Sequence, residues 1–366
     1  MLKLGIRLAR TALKTADHVK TQAADAVGLG DQVEGLQDSI ASLPGVEDVV
    51  RIAKVAADQW APERLPLYKP DAGEHEVMTL QQDFVDPVRG RPIPMKVYCP
   101  KDMEGKAPVV VLSHGLAGNS FTYRYLGRHL ASHGYIVAQP THVGSDTAAV
   151  MKKTPVLAFT QGELIDRTKD VSFTLDQLEK DGGFPEELKE HADLSRVAVA
   201  GHSFGALTAE TMAGVATKDS DGNQLPTQDD RVDAFVAMSP FGDSFPTHLL
   251  GMDVNTYGEV QKPILYMSGE NDSIFTLGKG ARAHSSAFAE TGSQDKYNLV
   301  MEGGGHVDFA QVFGVEDKSV ADLTKTTTLA FLDAHLKSEK PARNYLKDLP
   351  EVARTHDSWA DVNTCS

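Results

Sequence analysis

Cysteine is nearly absent from this chain: Cys99 and Cys365 are the only two in 366 residues. One bridge is the most they allow, and Cys365 stands next to the last residue, so a disulfide framework is excluded and a reducing compartment is expected. No run of 18 or more apolar residues exists, so no helix of the sequence is expected to span a membrane. The first residues lack the apolar core of a secretory signal. Basic charge is also short, with 36 Lys and Arg against 51 Asp and Glu and a formal net charge of −15. That balance argues against nucleic acid as a partner. There is no HExxH and no Cys/His cluster, so neither a metal nor an organic cofactor is expected. The default location is cytoplasmic.

The rest of the composition is that of a folded globular chain, 41% hydrophobic and 24% charged. The length accommodates one large α/β domain and an extension. Residues 1–74 carry helix patterns and almost no strand signal. Within them Lys3, Arg7, Arg10 and Lys14 recur every three or four residues. Three readings of residues 1–20 stand open: a helix packed on its own protein, a helix on a membrane or partner surface, or an organelle-targeting peptide. Val46, Val49, Val50, Ala53, Ala56, Ala57 and Trp60 share one face of a second helix, and Pro62, Pro66 and Pro70 end it.

From about residue 75 strands and helices alternate, which predicts a mostly parallel central sheet with helices on both faces. The expected division is a helical extension and linker over 1–74, a catalytic domain over 75–345 and a tail over 346–366. Three insertions break the rhythm, at 144–162, 217–231 and 241–262. Loops at the C-terminal ends of parallel strands line active sites. Phe121, Tyr123, Phe241 and Phe245 are therefore expected as apolar pocket walls.

The densest chemical signal is Val197-Ala-Val-Ala-Gly-His-Ser203-Phe-Gly-Ala-Leu207. A buried strand runs into Gly201-His202-Ser203-Phe204-Gly205, and a helix of small residues follows. Strand, G-x-S-x-G and helix describe a nucleophile elbow. A serine hydroxyl needs a base to take its proton, and the base needs an orienting acid. His306, in Gly303-Gly304-Gly305-His306, follows the strand at Tyr297–Met301 and is expected as the base. Asp272, after the strand Ile264–Ser268, is expected as the acid, with Asp243 and Glu270 as alternatives. His284 and His335 read as surface or packing residues. His114 reads as a loop stabiliser, and His202 is expected to turn away from the serine. An oxyanion needs preorganised donors. The N–H groups of Phe204 and of Leu116, in Ser113-His114-Gly115-Leu116, are expected to supply them.

These residues resemble the α/β-hydrolase superfamily. Ser113-His114-Gly115-Leu116, Leu130–Ala138, Asp176-Gln177-Leu178, Val197–Ala206 and Gly305–Ala310 are similar to the platelet-activating-factor acetylhydrolases and their dienelactone-hydrolase-like relatives. The resemblance covers roughly residues 80–340 and implies an α/β-hydrolase fold with serine esterase activity. It implies Ser203 as nucleophile, His306 as base, and Leu116 and Phe204 as oxyanion donors. The acid departs from the pattern. In the acetylhydrolases it follows the strand after the nucleophile helix, where this chain has Ala237-Met238-Ser239-Pro240. Asp272 instead takes the position used by dienelactone hydrolases and cutinase-like polyesterases. The expected substrates are short- to medium-chain esters, with polyesters or phospholipids as alternatives. A noncatalytic binding protein on the same fold is the reading from another class.

Overall fold

Strands that are apolar at every position, rather than at alternate ones, belong inside a sheet covered on both faces. Apart from Ser113 and Gln139, Ala107–Ser113 and Ile136–Pro140 are of this kind, and every residue of both is buried. In the computed structural model they lie side by side in the interior of a nine-stranded sheet. The residues described are 64–152, 158–180, 183–242, 247–273, 281–310 and 318–364. Leu65–Ser366 forms one compact unit. The readings for residues 1–20 and 46–60 lie outside the described residues.

The strands are β1 Val77–Asp86, β2 Arg91–Pro100, β3 Ala107–Ser113, β4 Ile136–Pro140, β5 Ala192–His202, β6 Val232–Met238, β7 Ile264–Gly269, β8 Lys296–Met301 and β9 Trp359–Asn363. Their order in the sheet is β1-β2-β4-β3-β5-β6-β7-β8-β9. Strands β3 to β8 pair in parallel, whereas β1, β2 and β9 pair antiparallel at the two edges. The mostly parallel α/β-hydrolase architecture expected from the sequence is therefore present.

The helices are α1 Arg124–Ser132, α2 Thr147–Lys152, α3 Gln161–Glu179, α4 Glu186–His191, α5 Phe204–Ala213, α6 Ala281–Glu290, α7 Lys318–Leu336, α8 Lys340–Lys347 and α9 Leu349–Thr355. Two cores result, one on each face. Alternate residues of each strand divide between them: Val110 and Leu112 join α1 and α7 on one face, and Val109 and Val111 join α3 and α5 on the other.

Strand β4 lies on one side of β3 and β5 on the other, so the direction of winding reverses at β3. The loops that leave β3 and β5 meet at this switch point, the usual ligand position in such sheets. The Gly115 loop and the Ser203 turn are those two loops.

Both ends of the expected catalytic domain need correction. Residues 346–366 are not a tail. Pro341 and Pro350 stand in the first turns of α8 and α9, where a missing N–H costs nothing, and β9 then pairs with β8. The segment before residue 75 also packs on the body. Tyr68 Oη donates to Asp333 at 2.9 Å and Lys69 Nζ at 2.8 Å. Leu65 N–H donates to Thr355 Oγ1 at 3.1 Å. Cys99 is buried, and burial pushes its thiol up to about 11. Among the described residues no helix is long and apolar enough to cross a membrane.

Candidate active site

Ser203 stands between the end of β5 and the start of α5. Its backbone is held at φ +57° and ψ −116°, a conformation that costs a non-glycine residue about 1–3 kcal/mol. The neighbours enforce it. Ser203 N–H donates to Met238 O at 2.9 Å, and Ala206 N–H donates back to Ser203 O at 2.9 Å. A Cβ on Gly201 would lie 2.0 Å from Gly205 O, and one on Gly205 would lie 2.1 Å from Ser113 O. Only glycine lets helix, turn and strand β3 approach this closely. That is the physical content of the two glycines in the sequence pattern.

His306 begins a short 3₁₀ turn, His306–Phe309, after β8. Its Nδ1 lies 3.1 and 3.0 Å from the two carboxylate oxygens of Asp272. The loops carrying the pair are fastened together: Glu270 N–H donates to Met301 O at 2.8 Å and Asn271 N–H to Gly304 O at 2.9 Å. Asp272 is fully buried. Burial alone would raise its carboxyl, but hydrogen bonds from His284 and His306 outweigh burial and hold the group far below the usual range. Glu270 is exposed, and Asp243 lies outside the described residues.

His284 was expected as a surface or packing residue. It is fully buried, its Nε2 is 3.5 Å from Asp272 Oδ1, and its Nδ1 bonds Pro240 O. The Pro240 carbonyl and the Asp272 carboxylate both favour the protonated ring. Burial opposes that charge, yet Asp272 raises the pKa above its ordinary value. His202 lies beside the pair. Its ring packs on His306 at 4.7 Å between centroids and on Phe309 at 5.4 Å, so it forms part of the floor beneath His306.

The loop after β3 abuts the serine: a Cβ on Gly115 would lie 3.3 Å from Ser203 Cβ. Leu116 is half-buried on this loop, and Phe204 is the first residue of α5. His114 has the loop-holding role expected of it, its Nδ1 bonding Gly115 O at 2.7 Å. No hydrogen bond joins Ser203 Oγ to His306 among the described residues. Such bonds often tighten only when substrate is present.

The expected pocket walls fare differently. Tyr123 is buried. Its hydroxyl accepts from Gly115 N–H at 3.3 Å and bonds His202 Nδ1 at 2.8 Å, so it braces two loops instead of facing substrate. Phe241 is also fully buried, against Phe159. Phe121 is half-exposed with the Lys96 ammonium 4.0 Å from its ring centre. Phe245 lies outside the described residues. Aromatic residues on strand-end loops are as suited to core anchoring as to lining, and burial decides between the two. Among the described residues no group of three or more His, Cys, Asp or Glu converges as metal ligands would.

Residues 68–238 match the family model described as Chlorophyllase. A protein named platelet-activating factor acetylhydrolase from Cavia porcellus is 24% identical over 294 residues, covering 68% of this chain and 62% of the relative. The protein of the same name from Canis lupus familiaris is 25% identical over 284 residues, covering 64% and 58%. The match thus spans about three fifths of these relatives' length. Sheet topology, the strained serine turn and these likenesses together give the chain an α/β-hydrolase fold, with similarity to the Chlorophyllase model and to the platelet-activating factor acetylhydrolases.

Proposed function

We propose that the protein is a serine carboxylester hydrolase that works through an acyl-enzyme. Ser203 Oγ attacks the ester carbonyl while His306 Nε2 takes its proton. The oxygen that becomes negative is met by the N–H groups of Leu116 and Phe204. The tetrahedral adduct collapses, the alcohol leaves with the proton from His306, and water repeats the sequence on the acyl-enzyme. Asp272 accepts the Nδ1–H of His306, which keeps Nε2 free to take a proton and stabilises the imidazolium as it forms.

The observation that carries this reading is the bond of His306 Nδ1 to both oxygens of the fully buried Asp272. An incidental surface pair would not hold an imidazole in one tautomer. Short- to medium-chain esters are the proposed substrates. The relatives' name favours a second reading, an ester of the platelet-activating factor type, and polyesters are a third.

A p-nitrophenyl ester series from acetate to decanoate, run beside platelet-activating factor and a polyester film, tests activity and substrate class together. Wild type is expected to hydrolyse the short members, and Ser203→Ala none of them. Equal rates in the two proteins would overturn the proposal and favour a noncatalytic binding role.

A further inference from the structure

A set of polar groups beneath the β3 loop has no part in the chemistry above. Ser113 Oγ is 2.9 Å from His142 Nε2, and His142 Nδ1 is 3.0 Å from Asp170 Oδ2. These are the residue types and distances of a second Ser–His–Asp relay. All three side chains are fully buried, so no substrate reaches them. Arg89 Nη2, at 2.7 Å, and Arg91 Nε, at 3.1 Å, hold Asp170 Oδ1 from its other side.

The relay fixes the position of His142, whose backbone N–H donates to His114 Nε2 at 2.9 Å. That bond decides the tautomer of His114. Nε2 accepts, so Nδ1 carries the hydrogen and donates it to Gly115 O at 2.7 Å. Arg167, which is also fully buried, reaches the same backbone. Its Nη1 donates to His114 O, its Nη2 to Gly115 O at 3.5 Å and its Nε to Ser145 Oγ at 3.0 Å. Its guanidinium carbon is 4.2 Å from the centre of the Phe204 ring. Gly115 C=O and Leu116 N–H belong to one planar peptide unit, so whatever grips the carbonyl also fixes the N–H.

We propose that Arg167, together with His114, is a positioning residue for the oxyanion pocket. The two side chains clamp the Gly115 carbonyl, fix the plane of the Gly115–Leu116 peptide and polarise it, which makes Leu116 N–H a stronger donor to the developing oxyanion. Donors on a carbonyl strengthen the N–H of the same unit, and a cation held in a low-dielectric interior acts at longer range than one in water. The proposal rests on the roles given above to Ser203 and Leu116.

The test compares wild type, Arg167→Met and Ser145→Ala, with intact sites counted by a fluorophosphonate label. The readouts are kcat and KM per labelled site on p-nitrophenyl butyrate, and Ki for a trifluoromethyl ketone, which adds to the serine as a tetrahedral oxyanion. Arg167→Met is expected to lower kcat per site about 10- to 100-fold, with KM nearly unchanged and Ki raised by the same factor. Ser145→Ala, which releases one Arg167 bond, is expected to move both readouts a few-fold in the same direction. A lower melting temperature with kcat per site and Ki unchanged would overturn the proposal, as would a change confined to KM. Should Arg167→Met not fold, Ser145→Ala decides alone. Failure of the underlying reading is separate: it would appear as full hydrolysis by Ser203→Ala or an unlabelled wild type.

Discussion

Glu210 lies fully buried on α5, the helix that starts beside Ser203, and its Oε1 accepts from Tyr257 Oη at 3.0 Å. Burial pushes its carboxyl from 4.5 up to about 8, and the Tyr257 bond and His284 only partly oppose the rise. The native state therefore keeps this proton through neutral pH, while the unfolded chain loses it above about 4.5. Between those values the unfolded state binds fewer protons, so stability falls as pH rises. From pH 5 to 7.5 the loss is about 3 kcal/mol, at up to about 1.4 kcal/mol per pH unit. Glu210→Gln keeps the shape and removes the titration. Urea unfolding of both proteins at pH 5, 6 and 7.5 measures the effect. The variant is expected to gain about 3 kcal/mol on wild type across that range. Any constant offset from the amide cancels in the difference. Parallel stability curves would refute the reasoning and mean that Glu210 ionises in the folded protein. Its neutral state bears on function, because it keeps a buried negative charge out of the helix behind the serine.

Asp272→Asn leaves the contact to His306 Nδ1 in place but offers an amide hydrogen to it, which favours the wrong imidazole tautomer. A fall in kcat on the order of 10⁴-fold is expected in steady-state ester hydrolysis, with KM little changed. Gly205→Ala drives a methyl into Ser113 O, 2.1 Å from the ideal Cβ. Because the methyl is fixed on its Cα and the carbonyl it meets is backbone, a loss of about 3 kcal/mol or more is expected in chemical denaturation. Tyr68→Phe removes a hydroxyl bonded to Asp333 at 2.9 Å and is expected to lower stability by about 2 kcal/mol. No change there would contradict the packing of the segment before residue 75 on the body.

The parallel strands were legible because an unbroken apolar, β-branched run has few places to go but a sheet interior. Ser203 was legible because only a turn that forbids side chains demands glycine on both flanks. His306 and Asp272 were readable from their places after β8 and β7. His284 was not. It belongs to a helix pattern like any other, and its approach to Asp272 depends on how α6 packs, which local periodicity does not encode. The Ser113–His142–Asp170 relay was hidden for a similar reason, since its members come from β3, the loop after β4 and α3. Tyr123 and Phe241 were misjudged because an aromatic on a loop is chemically the same whether it faces substrate or core. The C-terminal helices and β9 were missed because each is short and gains its stability from the sheet edge it covers.

The central claim is that Ser203 forms a covalent intermediate under the control of His306. The most direct measurement is mass spectrometry after brief exposure to a fluorophosphonate, with the adduct mapped by proteolysis. A single adduct on Ser203 in wild type, lost in Ser203→Ala and formed far more slowly in His306→Ala, is the expected result. An adduct on another residue, or a Ser203→Ala protein that still cleaves p-nitrophenyl esters at the wild-type rate, would contradict it.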